Sequence, residues 1–156
     1  MADLYDELDA QGAVVRSAFA LGPYNQLPPG HTWQPHSVTL AEARALRRQQ
    51  IEEWRDAACT ANAVVPVSGA AHVWQADDRS QQLMGQAVSL ANAGAIPAPA
   101  VWRTADNQDV AVTLQDLKNI AGTIAGQTSA AYAHSWALKA ALDTAGTIDA
   151  VNAVIW

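Results

Sequence analysis

Cysteine occurs once in these 156 residues, phenylalanine once, and lysine and arginine together only nine times. The single Cys59 excludes an internal disulfide framework and a cysteine-built zinc site. Standing in the expected last turn of a helix, it reads as a buried structural thiol. Scarcity of basic residues, with a formal charge of -6 and a pI near 4.9, argues against nucleic acid as a partner. Phosphate binding draws most of its affinity from counterions released by a basic surface. Four of the nine bases, Arg44, Arg47, Arg48 and Arg55, cluster on one helical segment and read as its solvated face. Apolar runs are also short. None reaches the roughly 18 residues that a membrane span requires, and the acidic stretch Met1 to Ala10 lacks the apolar region of a secretory signal. The expectation is a chain made and kept in a cytosol, unless carried out as part of a larger particle.

What is plentiful is alanine, within a composition that is half apolar. Helix contacts rich in alanine give a thin core, so its large anchors are expected among the six tryptophans, Trp33, Trp54, Trp74, Trp102, Trp136 and Trp156. The length suits one domain or one domain with a short appendage.

Local signals divide the chain near residue 36. Leu4-Tyr5 and Ala13-Val14-Val15 flank Asp9-Ala10-Gln11-Gly12, a turn that ends on glycine, so residues 2–20 predict a hairpin. A lone hairpin is marginal in water and must dock elsewhere. Leu27 to Pro35 holds Pro28, Pro29 and Pro35 and predicts an extended linker. Residues 1–36 are thus expected to be an arm and linker, and 37–156 a helical body.

In the body, Thr39-Leu40-Ala41-Glu42 fits a capping box opening a helix that ends near Ala61. Its expected apolar face is Ala43, Leu46, Trp54, Ala57 and Ala58, with Ile51 beside it. Val64–Val67, Ser68-Gly69 and Ala71–Gln75 predict a hairpin whose first arm is an edge strand because of Pro66. Asp77 then caps a second helix with the stripe Leu83, Met84, Ala87, Val88 and Ala91, stopped at Gly94. Short strands are expected at Val101–Arg103 and Val110–Val112. Thr113, with Asp116, caps the longest helix. Its stripe, Leu117, Ile120, Ala121, Ile124, Thr128, Ala131, Ser135, Leu138 and Leu142, is helical throughout. Gly122 and Gly126 predict a close approach by another element, and Thr147 caps a short final helix. The fold class is therefore α+β: three main helices and a short terminal one, with small antiparallel hairpins. The expected core is Trp54, Trp74, Trp102, Leu117, Ile120, Ile124 and Leu138.

Chemical signatures are sparse. His31, His36, His72 and His134 lack metalloprotease spacing, and His31 and His36 fall in the expected linker, where exposure is the default. Asp106-Asn107-Gln108-Asp109 lacks the alternating ligands, central glycine and terminal glutamate of a calcium loop. Nucleophile elbow, phosphate loop and dinucleotide fingerprint are all missing. No catalytic residue, cofactor or metal is expected. A hydrolase using Asp77 or Asp106 is the distant alternative.

Two sets of residues carry a family resemblance: Leu40–Arg55 with Gln75-Ala76-Asp77 and Ser80, and above all Trp102-x-Thr104-Ala105-Asp106-Asn107. After that motif come Val110, Val112, Leu114, Leu117, Ala131-Tyr132 and Lys139. From about Thr39 to Trp156 the chain resembles a domain of unknown function found in proteins encoded beside or within tail-fibre genes of tailed phages. The resemblance brings no catalytic residues. It implies a structural or adaptor protein of the virion tail or tail fibre, made in the bacterial host cytoplasm. Its partners would be other tail or fibre proteins, in a homo-oligomer or a larger assembly. The N-terminal hairpin and Pro-Pro-Gly linker look like the front end of tail-fibre assembly proteins, so a fibre-assembly chaperone absent from the mature virion is the alternative. Attachment is expected through the arm, at Tyr5, Val14, Val15, Phe19, Tyr24 and Trp33.

Overall fold

A computed structural model describes residues 4–21, 26–96 and 99–156. The chain divides into two compact units, Met1–Glu42 and Ala43–Trp156. Secondary structure is α+β, as the sequence predicts, with four helices and seven short strands in antiparallel sheets among the described residues.

The first unit is a three-stranded sheet of order β2-β1-β3, built from β1 (Leu4–Leu8), β2 (Val14–Ala20) and β3 (Thr32–Pro35). The β1–β2 turn forms where expected. Gly12 takes φ 80°, and the Asp9 carboxylate accepts the amides of Gln11 and Ala13 at 2.9 and 2.8 Å. The supposed linker is a correction: Thr32–Pro35 pairs antiparallel with β1, from Tyr5 opposite Pro35 to Leu8 opposite Thr32. Proline is compatible with this because β3 is an outer strand and Pro35 its last residue. The pairing partner lies some 27 residues earlier, which a local reading cannot see.

In the second unit, α1 (Leu40–Thr60, its first turn in the first unit) leads to the hairpin β4 (Ala63–Val67) and β5 (Ala70–Trp74). Ser68 and Gly69 both have positive φ, 52° and 83°, the geometry that lets a two-residue loop match the twist of its strands. Helix α2 (Asp78–Asn92) starts at the Asp77 cap, whose carboxylate accepts the Ser80 amide at 3.0 Å. Strands β6 (Ala100–Arg103) and β7 (Asp109–Val112) precede α3 (Leu114–Thr144), and α4 (Ile148–Asn152) follows. The Thr113–Asp116 capping box closes in both directions, which holds the Asp116 carboxyl below its usual range through the Thr113 hydroxyl and amide.

The core of the second unit gathers Val65, Val67 and Trp74 of the β4–β5 hairpin, Met84 and Ala87 of α2, Val112, and Leu117, Ile120 and Ile124 of α3. Leu117, Ile120, Ile124, Ala131, Ser135 and Leu142 are all buried on α3, and all belong to the predicted stripe. Of the expected anchors, Trp74 is wholly buried, whereas Trp54, Trp102 and Leu138 are half-buried and Trp136 is 65% exposed.

The α1 face also needs correcting. Ala43 and Ile51 are its buried residues, while Leu46 and Ala57 face solvent, as does Leu83 on α2. The buried line runs beside the one that apolar counting selects, because arginines occupy the same side. Arg44 donates to the Ala145 carbonyl at 2.6 Å, Arg47 reaches Asn152, and Arg48 pairs with Asp143. Lys139 of α3 adds a 2.7 Å bond to Glu52. The arginine cluster therefore ties α1 to the last turn of α3 and to α4, placing cations where a helix end is electronegative. Gly122 and Gly126 show no close approach, since a Cβ at either would meet nothing within 4 Å.

Candidate functional site

Asp6 and Glu7 are adjacent on β1 and both buried, an unusual pair for the central strand of a small sheet. Their partners explain it. Between Tyr5–Phe19 and Glu7–Arg16 the β1–β2 register slips, so Ser17 and Ala18 together oppose Asp6, and Ala18 takes φ 54°. Such a bulge puts backbone groups out of the ladder. The Asp6 carboxylate repairs it, accepting the Ser17 hydroxyl at 2.6 Å and the Ala18 amide at 3.0 Å, with His36 Nδ1 at 2.7 Å. The Ser17 hydroxyl foremost, then the Ala18 amide and His36, hold the Asp6 carboxyl down at about 2 against the opposing effect of burial.

Glu7 is satisfied by Arg16 at 3.2 Å and His31 at 2.7 Å. The Arg16 guanidinium also lies 4.1 Å from the Phe19 ring centre and 5.7 Å from that of Trp33, and the two rings stand 4.7 Å apart. The arm thus joins Phe19 and Trp33, two of the residues predicted to bind a partner, in one aromatic–cation group. Tyr5 is half-buried beside them in register, opposite Phe19. Val14 and Val15 are each 53% exposed, and Leu4 and Leu21 are exposed as well. Tyr24 lies outside the described residues.

His31 and His36 are corrections, because neither is an exposed linker residue. The His36 side chain is only 6% exposed. Two histidines bracketing a short prolyl segment, opposite paired acids, was the available signal, but only the β1–β3 register gives it meaning. Ser17, Asp6 and His36 contain the residue types of a hydrolytic triad without its geometry. Hydroxyl and carboxylate both crowd Nδ1, the hydroxyl at 3.3 Å, whereas a triad sets them on opposite ring nitrogens.

The second unit holds a cleft of about 420 Å³ between the last turn of α1 (Asp56, Cys59, Thr60), the start of α2 (Asp78, Gln81) and α3 (Thr128, Tyr132). Cys59 is half-buried at its wall rather than enclosed. Among the described residues, the buried Thr128 hydroxyl has no bonding partner, and no histidine or lysine lines the cleft. The amides of Gln81 and Gln127 cap carbonyls at the end of α1: Gln81 bonds Cys59, and Gln127 bonds Ala58 and Ala61. That satisfies groups a helix terminus otherwise leaves open. Among the described residues, no three of His, Cys, Asp or Glu form a group able to hold a metal ion, and no helix is long and apolar enough to cross a membrane.

The Trp102–Asn107 motif is a structural turn. Thr104 is buried; its amide and hydroxyl both engage Gln108, and the hydroxyl also donates to Asp106. The Ala105 amide donates to the Val73 carbonyl at 2.8 Å, joining this turn to the β4–β5 hairpin. Asn107 takes φ 64°, a left-handed conformation that asparagine tolerates better than most residues. Asp106 and Asp77 are thus both engaged in turns and caps. Thr104→Val should cost about 1–3 kcal/mol by leaving buried partners unpaired, while Thr104→Ser should recover most of it. Urea midpoints of the three proteins check this, and an unchanged midpoint in the valine variant contradicts it.

A family model described as Domain of unknown function (DUF4376) matches residues 42–155. No curated protein and no solved structure matches the chain.

Proposed function

The chain belongs to the DUF4376 family, and from that footing we propose that it is a non-enzymatic structural or adaptor protein of a phage tail or tail fibre, attached through its N-terminal sheet. The observation that supports this reading most is the independence of that sheet. Residues 1–42 form a compact unit of their own, with a hydrogen-bonded polar interior and apolar residues left outside. Three strands stand alone only with a packed apolar face, whereas the buried residues here are Asp6 and Glu7, so the exposed apolar residues suggest that the sheet acts while covered. Val14 and Val15 lie exposed on an outer strand, the one that also carries Phe19. An extended segment of a neighbouring tail protein could use the edge for main-chain bonds and these side chains for specificity.

The test is co-purification with tail components from cells making the phage. Val14→Glu with Val15→Glu places two charges on the exposed surface, so association should fall at least tenfold while the melting temperature of the body stays unchanged. Undiminished association would remove the arm from the attachment role. A wild-type protein that binds fibre polypeptides in the cell but is missing from finished particles would be an assembly chaperone instead.

A further inference from the structure

Strand β3 contributes only four residues, yet a histidine pins it at each end to β1. His31, just before it, bonds Glu7, and His36, just after it, bonds Asp6, each at 2.7 Å. The His36 amide adds a bond to the Leu4 carbonyl at 2.9 Å. His36 does more than pin the strand. Its Nδ1 faces Asp6 and its Nε2 faces Glu42 Oε1 at 3.2 Å, so the ring is held between two carboxylates. The other Glu42 oxygen accepts the Thr39 amide and hydroxyl, both at 2.8 Å, and so closes the cap of α1. One imidazole therefore connects the central strand, the end of β3 and the first turn of α1.

An imidazolium donates from both ring nitrogens, whereas a neutral imidazole donates from one and presents a lone pair at the other. Asp6 offers the shorter contact, so a neutral ring keeps its proton on Nδ1 and turns a lone pair toward the Glu42 carboxylate. We propose that His36 is a proton-operated clasp that fastens β3 and the start of α1 to β1 while charged, and releases the Glu42 side when neutral. The groups facing it are Asp6 from β1, the Ser17 hydroxyl from β2, and Glu42 from α1.

The direction of the response follows from the neighbours. Asp6 foremost, by hydrogen bond and charge, then Glu42, raises the His36 pKa above its ordinary value, with burial opposing. A raised folded-state value means the clasp contributes fully below the unfolded pKa, and that this stability is lost as pH rises through the folded one. Asp6, ionised down to about 2, and Glu42, whose carboxyl the Thr39 bonds hold below its usual range, stay charged throughout. Histidine is the side chain whose ordinary titration range lies nearest to neutrality, so the arm should tighten in mild acid and loosen on the alkaline side.

The experiment uses the full chain. Ring-nitrogen NMR follows the protonation of His36, and amide hydrogen exchange, corrected for intrinsic rates, follows the opening of β3 at the His36 amide. The opening constant should rise several-fold across the His36 titration, with the same midpoint. Glu42→Gln keeps an acceptor without the charge, so it should lower that midpoint and shrink the rise. His36→Gln should remove the pH dependence. Equal protection on both sides of the midpoint, or an unmoved midpoint in Glu42→Gln, would overturn the clasp. Reading Glu42→Gln by ring NMR keeps the test decisive even where His36→Gln loosens the arm at every pH.

Discussion

Replacing Trp74 with alanine should destabilise the protein by about 3–5 kcal/mol, the usual cost of a large buried aromatic deletion. Trp74 closes β5, is 0% exposed, and donates its indole N–H to the Val65 carbonyl across the hairpin at 3.0 Å. Alanine would therefore leave a void and remove the indole's bond to that carbonyl. In a core otherwise made of alanine, valine and a few larger aliphatics, little stands ready to fill that void. Trp74→Phe keeps most of the ring and loses only the donor, so it should cost less, about 1–3 kcal/mol. Trp136→Ala, at a 65% exposed position, should change stability by no more than about 0.5 kcal/mol. Urea unfolding followed by circular dichroism measures all three. Equal losses at Trp74 and Trp136 would contradict the assignment of the core.

Leu142→Ala should be the second costly change, at about 2–5 kcal/mol. Leu142 is 0% exposed near the end of α3 and lies outside the buried group around Trp74. This stretch carries the bonds from Arg44, Arg48 and Lys139 that join α1 to α3. A void at this end of α3 should therefore also weaken the hold on α1. Hydrogen exchange should show it as faster opening of α1 amides around Ile51, with those of β4 and β5 less affected. Uniform loss across the second unit would mean that the two buried groups open as one.

The contrast between those two sites marks what was legible in the sequence. Elements announced by local chemistry appear where they were expected. Thr113 with Asp116, Asp77 with Ser80, and Thr147 set helix starts through bonds spanning three residues, and Ser68-Gly69 sets a turn through its own φ angles. The α3 stripe is equally clear, because a long helix repeats its signal over many turns. Features created by distant pairing were hidden. The prolines around β3 suggested a linker, since nothing nearby reveals β1 as a partner. The same gap concealed Asp6, Glu7, His31 and His36, four polar residues that form an interior only once the register is known. Arginines misled for another reason: long side chains can lie along a packed face and still reach a carbonyl at its end, so Arg44 marks packing rather than solvent. Of the arm residues expected to bind a partner, Phe19 and Trp33 come together and Val14 and Val15 are open, while Tyr5 is partly enclosed by the sheet.

The proposed place of this protein in a phage tail is decided by quantitative mass spectrometry of purified particles from a phage encoding the chain. A structural tail protein should appear at a fixed copy number per particle, in constant ratio to the other tail proteins. Its absence from particles, alongside abundance in the infected cell, would contradict a structural role and leave assembly as its place of action.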